Sequence, residues 1–432
     1  MKRRTAVRLL NLLVLGIAGG AIATGAPAQV KGAGPKAAAP AAQTVKIAYV
    51  DPLSGPFAGV GANLLKHFQF TVDAVNARQL AGPGVKFEMA SFDNKASPQE
   101  TLTVLKQVID QGIRYVVQGQ GSGSALALSD AIEKHNERNP GQAIVFLNYA
   151  AVDPDLTNSR CSFWHFRFDA NTDMKMEALT TYIKGRPEVK NVFLINQNYS
   201  HGHQVSRVAK ELLAAKRPDV KIVGDDLHPL GQVRDFAPYI AKMRAANADT
   251  VITGNWGPDL ALLLRAARDA GLNANFYTYY AGVIGTPTAV GPAGENRMRQ
   301  VSYWHPNITG YPAEQMYLEF KKRFNEEWYA MATYTSLTLL ADAMKRTGST
   351  DPLKVAYAME GARMTAPHGD VEMRAADHQL LQPLWVSSWT RVGGQNKHDI
   401  ERTGYTWKTE EAFPTYVASQ PTSCTMKRPA RP

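Results

Sequence analysis

The residues best placed to do chemistry lie between Arg114 and Asp130, where "RYVVQGQGSGSALALSD" runs from a short apolar stretch into a glycine- and serine-rich turn and then a helix-like segment. A strand, a tight turn and a helix start in that order leave several backbone N–H groups pointing into one crevice, and the helix dipole favours negative charge there. Ser122, beside Gly123, and Ser124 add hydroxyl donors. The same serines can simply cap the helix; cap and anion site share their groups, so both readings hold together. A dinucleotide fingerprint needs Gly-x-Gly-x-x-Gly, the third glycine admitting close contact of helix and strand. Gly119 and Gly121 fit, but the third position is Ser124, and the turn follows the third strand-like segment rather than the first. A small carboxylate suits this turn better than a pyrophosphate.

Other chemistries find little support. No serine sits in Gly-x-Ser-x-Gly and no His-Glu-x-x-His occurs. His201 and His203 of "SHGH" stand two apart, so they do not share a helical face, and no carboxylate or cysteine clusters beside them. No metal and no cofactor is expected, and an enzyme would need a nucleophile–base pair that is not visible. The formal charge of +10 is also misleading. Nine of those surplus positive charges lie in residues 1–43 and beyond Cys424, leaving the body near neutral, unlike a nucleic-acid binder.

The elements that must position the turn follow from periodicity. From Thr44 onward, apolar runs alternate with amphipathic stretches: "VKIAYV", a helix from about Asn63 to Arg78, "VKFEMASFD", and "SPQETLTVLKQVIDQ" with Ser97 as N-cap, Pro98 at N1 and Glu100 at N3. "RYVVQG", "SALALSDAIEKHNERN" and "AIVFLNYA" complete the series. After "FWHFRF" (163–168) the rhythm restarts through "NVFLINQN", "VKIVGDDL", "DTVITGNW" and "NFYTYYA", with helices between them. Such alternation predicts two α/β units with parallel sheets covered on both faces. Residues 286–363 read as mostly helical, and the stretch ending in "LWVSSWTRVGG" as a β-hairpin.

The N-terminus reads as an export signal. Lys2, Arg3, Arg4 and Arg8 precede an apolar stretch from Leu9 to Ala23 and Ala26-Pro27-Ala28, so residues 1–28 are expected to be cleaved. Residues 29–43 are an Ala/Pro/Gly linker. In an oxidising compartment the two cysteines, Cys161 and Cys424, are expected to pair; two unrelated thiols are the alternative.

"VDPLSGPFAGVG" (50–61) resembles the opening of the periplasmic leucine/isoleucine/valine-binding proteins, receptors of ABC transporters. The resemblance continues through "LNYAAVDPDLTN", "FRFDANTDM", "NYSHG" and "TGNWGPDLALLLRAARDAGL", and covers roughly residues 44–400. It implies a type I periplasmic binding protein fold, an α/β architecture of two Rossmann-like lobes joined by three crossovers near residues 166, 283 and 367. Lobe one would comprise 44–166 and 284–366, lobe two 167–283 and 367–400, with a tail at 401–432. It implies a periplasmic, monomeric receptor that traps a small carboxylate ligand, an amino acid or an organic acid, and hands it to an inner-membrane permease. A sensor on the same fold is the alternative, and an exported enzyme a more distant one.

By the same resemblance the ligand carboxylate meets Ser122, Gly123 and Ser124. The loop Ala150-Ala151-Val152 supplies ammonium partners, Asp259 completes the ammonium cage, and His201 takes the place of an aromatic. Val152 replaces a hydroxyl residue and Val60 an aromatic wall, so the chain departs from the pattern where an amino group would bind. An acid in the first turn of a helix is also favoured by the dipole alone, which leaves Asp259 open. Phe57, Tyr149, Trp256 and Tyr280 are expected to add aromatic area.

Overall fold

Apolar runs long enough for a strand, each followed by an amphipathic helix, fold here into two successive doubly wound series. The computed structural model describes residues 43–432; the expected signal (1–28) and all but the last residue of the linker lie outside the described residues. The first series is β1 (Gln43–Asp51), α1 (Ala58–Ala77), β2 (Val85–Asp93), α2 (Pro98–Asp110), β3 (Tyr115–Gln118), α3 (Ser122–Arg138), β4 (Val145–Asn148) and β5 (His165–Arg167). All five strands are parallel, in the order β2-β1-β3-β4-β5. Every residue of β3 and β4 is buried, as strands covered on both faces must be. Ser97 caps α2 as expected, its hydroxyl accepting the Glu100 N–H at 3.4 Å, with Pro98 opening the helix. Helix α1 starts five residues before the expected Asn63. Gly59 and Gly61 weaken the helical signal there, yet Gly61 is needed, because a Cβ on it would lie 1.8 Å from the Pro52 carbonyl oxygen.

The second series repeats the plan with α4 (Thr172–Lys184), β6 (Asn191–Gln197), α5 (Ser200–Lys216), β7 (Lys221–His228), α6 (Ala237–Ala245), β8 (Thr250–Thr253), α7 (Gly257–Asp269), β9 (Asn275–Thr278), α8 (Thr286–Val290) and β10 (Met298–Ser302). Its parallel strands run β7-β6-β8-β9-β10, the same arrangement as in lobe one. In each lobe the first strand lies inside the sheet, so successive connections leave in opposite directions on either side of it. That switch point lies between β1 and β3 in lobe one and between β6 and β8 in lobe two. Crevices open at the carboxyl ends of such strands.

After β10 the chain returns to lobe one as α9 (Ala313–Phe324), α10 (Ala332–Thr347) and α11 (Pro352–Met359), with α9 and α10 packed on α1. A small antiparallel sheet of β11 (Arg363–Ala366), β12 (Gly369–Met373) and β13 (Leu380–Leu381) follows. It meets β5 where the Arg167 N–H donates to the His378 carbonyl at 2.9 Å and the His378 ring stacks on Phe166. Finally β14 (Leu384–Arg391) and β15 (Tyr405–Phe413) join the lobe-two sheet as an antiparallel edge.

These memberships correct the expected lobe boundaries. Strand β10 lies in the lobe-two sheet although 284–366 was assigned to lobe one, and β15 lies there although 401–432 was assigned to a tail. The expected hairpin is divided, β12 and β13 pairing together while β14 crosses to lobe two. The chain therefore passes between lobes at 168–171, 303–312 and 382–383 rather than near 166, 283 and 367. The physical reason is composition. Arg299 and Gln300 break up the apolar run of β10, and β15 carries the charged residues that suit a solvated edge strand. What remains of the tail docks on lobe one. Thr422 donates to the Thr157 carbonyl at 2.7 Å, Lys427 pairs with Glu137 at 2.8 Å, and Cys424 forms the expected disulfide with Cys161.

Candidate functional site

The turn after β3 is held from beneath by a residue that composition does not single out. Asp51, the last residue of β1, is fully buried. Its carboxylate accepts the Gln120 N–H at 2.8 Å, the Gly119 N–H at 3.2 Å, the Gln118 amide at 3.3 Å and the Tyr149 hydroxyl. Burial pushes the Asp51 carboxyl up to about 7 against the pull of these donors. Gly119 must be glycine, since a Cβ would meet the Tyr149 ring at 2.8 Å, and Gly121 enters α3 at φ 87°. The first paired helical N–H is that of Ala125, which donates to the Gly121 carbonyl at 3.1 Å, so the amides ahead of it are free to bind an anion. Asp51 fixes the turn; the turn offers the donors.

Of the three residues expected at the carboxylate, Ser122 alone lines the cavity that results. Its Oγ accepts the Asp153 N–H at 3.3 Å, which leaves the hydroxyl proton available to a ligand. Ser124 is buried away from the cavity, and the position a Gly123 Cβ would take faces Pro98 at 3.6 Å. The correction follows from helical geometry, because successive residues of the first turn point about 100° apart. Gln120 is the residue that sequence reasoning passed over. Both atoms of its side-chain amide are buried without a protein partner, and it lines the cavity between Gly119 and Gly121.

Ala150, Ala151 and Val152 all line the same cavity, on the loop that leaves β4. Asn148 ties this loop down: its Oδ1 accepts the Ala150 and Ala151 N–H groups at 3.2 and 2.8 Å, and its Nδ2 donates to the Ala151 carbonyl at 2.8 Å. The Val152 carbonyl accepts the Thr172 N–H at 2.9 Å.

Lobe two contributes from the ends of β6 and β8, across its own switch point. His201 lines the cavity and is neutral. The Gly254 carbonyl can only accept, so Nε2 carries the proton and donates to it at 3.1 Å, while Nδ1 lies 3.1 Å from the Thr172 hydroxyl, whose one proton it shares with the Val152 carbonyl at 3.0 Å. Burial lowers His201 to about 4. Both nitrogens are spent, and the ring offers the ligand only its edge and face. Trp256 lines the cavity and donates its indole N–H to the Tyr199 hydroxyl at 2.8 Å. That leaves the phenolic proton of Tyr199, a second overlooked residue, free to donate. Tyr280 lines the cavity as expected.

Asp259 and Phe57 do not line it. Asp259 accepts the Gln197 amide and the Gly231 N–H, both at 2.8 Å, so its carboxylate ties the loop after β7 to the end of β6. Phe57 instead closes the lobes on each other. Its ring centroid is 4.3 Å from that of Trp256, and a Cβ on Gly231 or Gly257 would lie 2.8 or 3.2 Å from the Phe57 ring. In both cases the contact partner comes from a distant segment, which is why the sequence misplaced them. Tyr149 serves beneath the site, on Asp51.

About 450 Å³ of empty space, part of it open to solvent, lies within this lining. Donors from the turn face one side, and Val60, Leu64, Val152, Trp256 and Val283 supply apolar wall elsewhere. No acidic side chain lines it. A cleft between two lobes with a few convergent polar groups is the form of a small-ligand site. Among the described residues no group of three or more His, Cys, Asp or Glu is placed to hold a metal ion, and no helix is long and apolar enough to cross a membrane.

Comparison with known proteins agrees with this geometry. A family model described as periplasmic binding protein matches residues 44–396. The Leu/Ile/Val-binding protein homolog 4 of Brucella abortus (strain 2308) is 31% identical over 404 residues, covering 91% of this chain and 95% of that protein. The crystal structure of the leucine-, isoleucine-, valine-, threonine- and alanine-binding protein from Brucella ovis in a closed conformation superposes with a TM-score of 0.80 at 31% identity, covering 90% of this chain and all of that one. A solute-binding protein of an R. palustris ABC transporter in complex with benzoate shares the fold, with a TM-score of 0.75 at 17% identity and coverage of 86–100% being common among such neighbours; for this one it is 88% of this chain and 99% of that one. Two lobes of like topology, three connections and a ligand-sized cavity at facing switch points place the chain in the periplasmic binding protein family.

Proposed function

We propose that this protein captures a small carboxylate ligand between its lobes in the periplasm and delivers it to an ABC permease, with a preference for acids that lack an α-amino group. The observation that carries the preference is the lining of the cavity: helix-terminal N–H groups and the Ser122 and Tyr199 hydroxyls face it, and no acid does. A carboxylate gains charge-assisted hydrogen bonds there. An ammonium finds no carboxylate in the cavity lining, since Asp259, held by Gln197 and Gly231 through one oxygen, lies outside it, and losing one hydrogen bond to a charged group costs about 1.5–3 kcal/mol. Delivery to a permease, export through the signal at 1–28, a monomeric state and the absence of catalysis rest on the family.

The test compares leucine with 4-methylpentanoate, which is leucine without its amino group, and with benzoate, by calorimetry. The expected result is that 4-methylpentanoate and benzoate bind at least as tightly as leucine. Leucine binding roughly tenfold tighter than both, about 1.4 kcal/mol, would overturn the preference. A branched-chain amino acid is the second reading, favoured by the names of the relatives at 31% identity and by the polar amide of Gln120, which can accept from an ammonium.

A further inference from the structure

A second chamber, with about 650 Å³ of empty space that is partly open to solvent, adjoins the first at the hinge. Ala150, Tyr280, Val283, Tyr329 and Ala330 line both, so the two chambers share a wall. The second is aromatic, with Tyr279, Tyr303, Trp304 and Trp328 around it. Its polar equipment is unlike that of the first. Lys175 and Asp169, buried to 1% and 2% exposure, pair at 2.8 Å through Asp169 Oδ2. Asp169 Oδ1 is buried with no partner, as is the Tyr329 hydroxyl. Lys175 Nζ lies 4.6 Å from the centre of the Tyr280 ring and has no carboxylate other than Asp169. The other acid in the chamber, Glu327, is already committed to Lys321 at 2.7 Å, the Glu401 N–H at 2.9 Å and the Tyr317 hydroxyl.

A buried carboxylate oxygen left without a donor is costly, and native proteins rarely leave one so. The Lys175–Asp169 pair is neutral as a unit, so a second ionic group would bring uncompensated charge into an apolar chamber. A neutral hydroxyl can both donate to Asp169 Oδ1 and accept from Lys175. We propose that this hinge chamber is a distal subsite, in which Asp169 and Lys175 receive a hydroxyl group at the far end of an elongated aromatic carboxylate whose acid end rests on the Ser122 turn. The subsite rests on the carboxylate reading for its near end.

The test is calorimetry with benzoate, cinnamate and 4-hydroxycinnamate. The expected result is that 4-hydroxycinnamate binds roughly tenfold or more tighter than cinnamate, as a hydrogen bond to a charged group implies. Asp169→Asn should reduce that advantage to less than about threefold, since the amide keeps one acceptor but loses the charge. Because breaking the buried pair can unfold the protein, Gly282→Leu provides a second variant. Gly282 lines the chamber, its added Cβ would meet only the Gln300 side-chain end, at 3.0 Å, and filling the space should abolish the advantage. Benzoate binding with cinnamate and 4-hydroxycinnamate equal would overturn the distal subsite alone. Binding of none of the three would overturn the carboxylate reading and the subsite with it.

Discussion

At the scale of single residues, the candidate site is built by side chains that do not line its cavity. Asp51 fixes the turn, Asn148 fixes the loop at Ala150, and Asp259 fixes the loop at Gly231. Each is a buried polar group satisfied by backbone amides, which is how a loop acquires the rigidity of a core element. Phe57 has a different task, since its ring from lobe one meets Trp256 from lobe two. Ligand affinity includes the free energy of closure, and a contact made only when closed adds to it. Burying a phenyl ring is worth about 1.5–3 kcal/mol. Phe57→Ala is therefore expected to weaken ligand binding roughly tenfold to a hundredfold, mostly through faster dissociation. A dissociation constant unchanged in stopped-flow or calorimetric measurement would show that the Phe57–Trp256 contact contributes nothing to closure.

At the scale of elements, two glycines in one helix separate local propensity from tertiary demand. Gly59 in α1 is exposed, and a Cβ on it meets nothing within 4 Å. Gly61, two residues on, has the Pro52 carbonyl oxygen at 1.8 Å from the same position. Gly59→Ala should raise the urea midpoint modestly, by about 0.5–1 kcal/mol of helix propensity. Gly61→Ala should lower stability by about 1–3 kcal/mol, because the obstacle is backbone and α1 must move off the end of β1. Equal midpoints for the two variants would contradict the packing described. Lobe two repeats the device, since a Cβ on Gly202 in α5 would lie 1.8 Å from the Gln197 carbonyl oxygen. This local close approach, one in each lobe, brings the helix start close to the strand end at each switch point.

At the scale of the whole molecule, the interior holds an unusual number of neutral imidazoles. Burial lowers His67 and His305 to about 3 and His201 and His368 to about 4, and it drives His165 well down too. Their folded-state values lie below the unfolded value of about 6.5. The unfolded chain therefore takes up protons below that pH which the folded chain refuses. Their contribution is fully present above pH ~6.5 and is lost as the pH falls toward 4, by up to about 1.4 kcal/mol per histidine per pH unit. Asp51, raised to about 7, works in the opposite direction as the pH falls from 7 toward 4, as do Glu133, Asp153, Asp169, Asp173, Asp259 and Glu401, also raised by burial. The histidines act over the whole span below pH ~6.5, where their unfolded forms take up protons. The denaturant midpoint should be level near pH 7.5 and fall steadily from pH 6.5 to 5. A midpoint that rises over that interval would show that the imidazoles are not buried in the neutral form.

How much of this was legible in the chain depends on the range of the interactions involved. The βα rhythm, the Ser97 cap, the free amides at the turn before α3 and the pairing of Cys161 with Cys424 could all be read from the sequence. The first three are encoded within a few neighbouring residues: a buried parallel strand must be apolar on both faces, and a helix start must satisfy its first amides. The sequence likewise placed Ala150–Val152, His201, Trp256 and Tyr280 around one site, since each follows the end of an apolar strand. It could not tell that Asp259 turns away from the cavity or that Phe57 seals the lobes. A carboxylate in the first turn of a helix serves the dipole, a loop or a ligand equally well, and only the approach of Gln197 and Gly231 decides among them. Nor could it assign β10 and β15 to lobe two, because a strand with polar residues is held by its partners rather than by its own composition. The second chamber lay beyond its reach altogether, since Asp169, Lys175, Tyr280 and Tyr329 meet only when the chain has crossed the hinge. Local chemistry determined which segments form the site; the packing of segments far apart in the chain decided which side chains face the ligand.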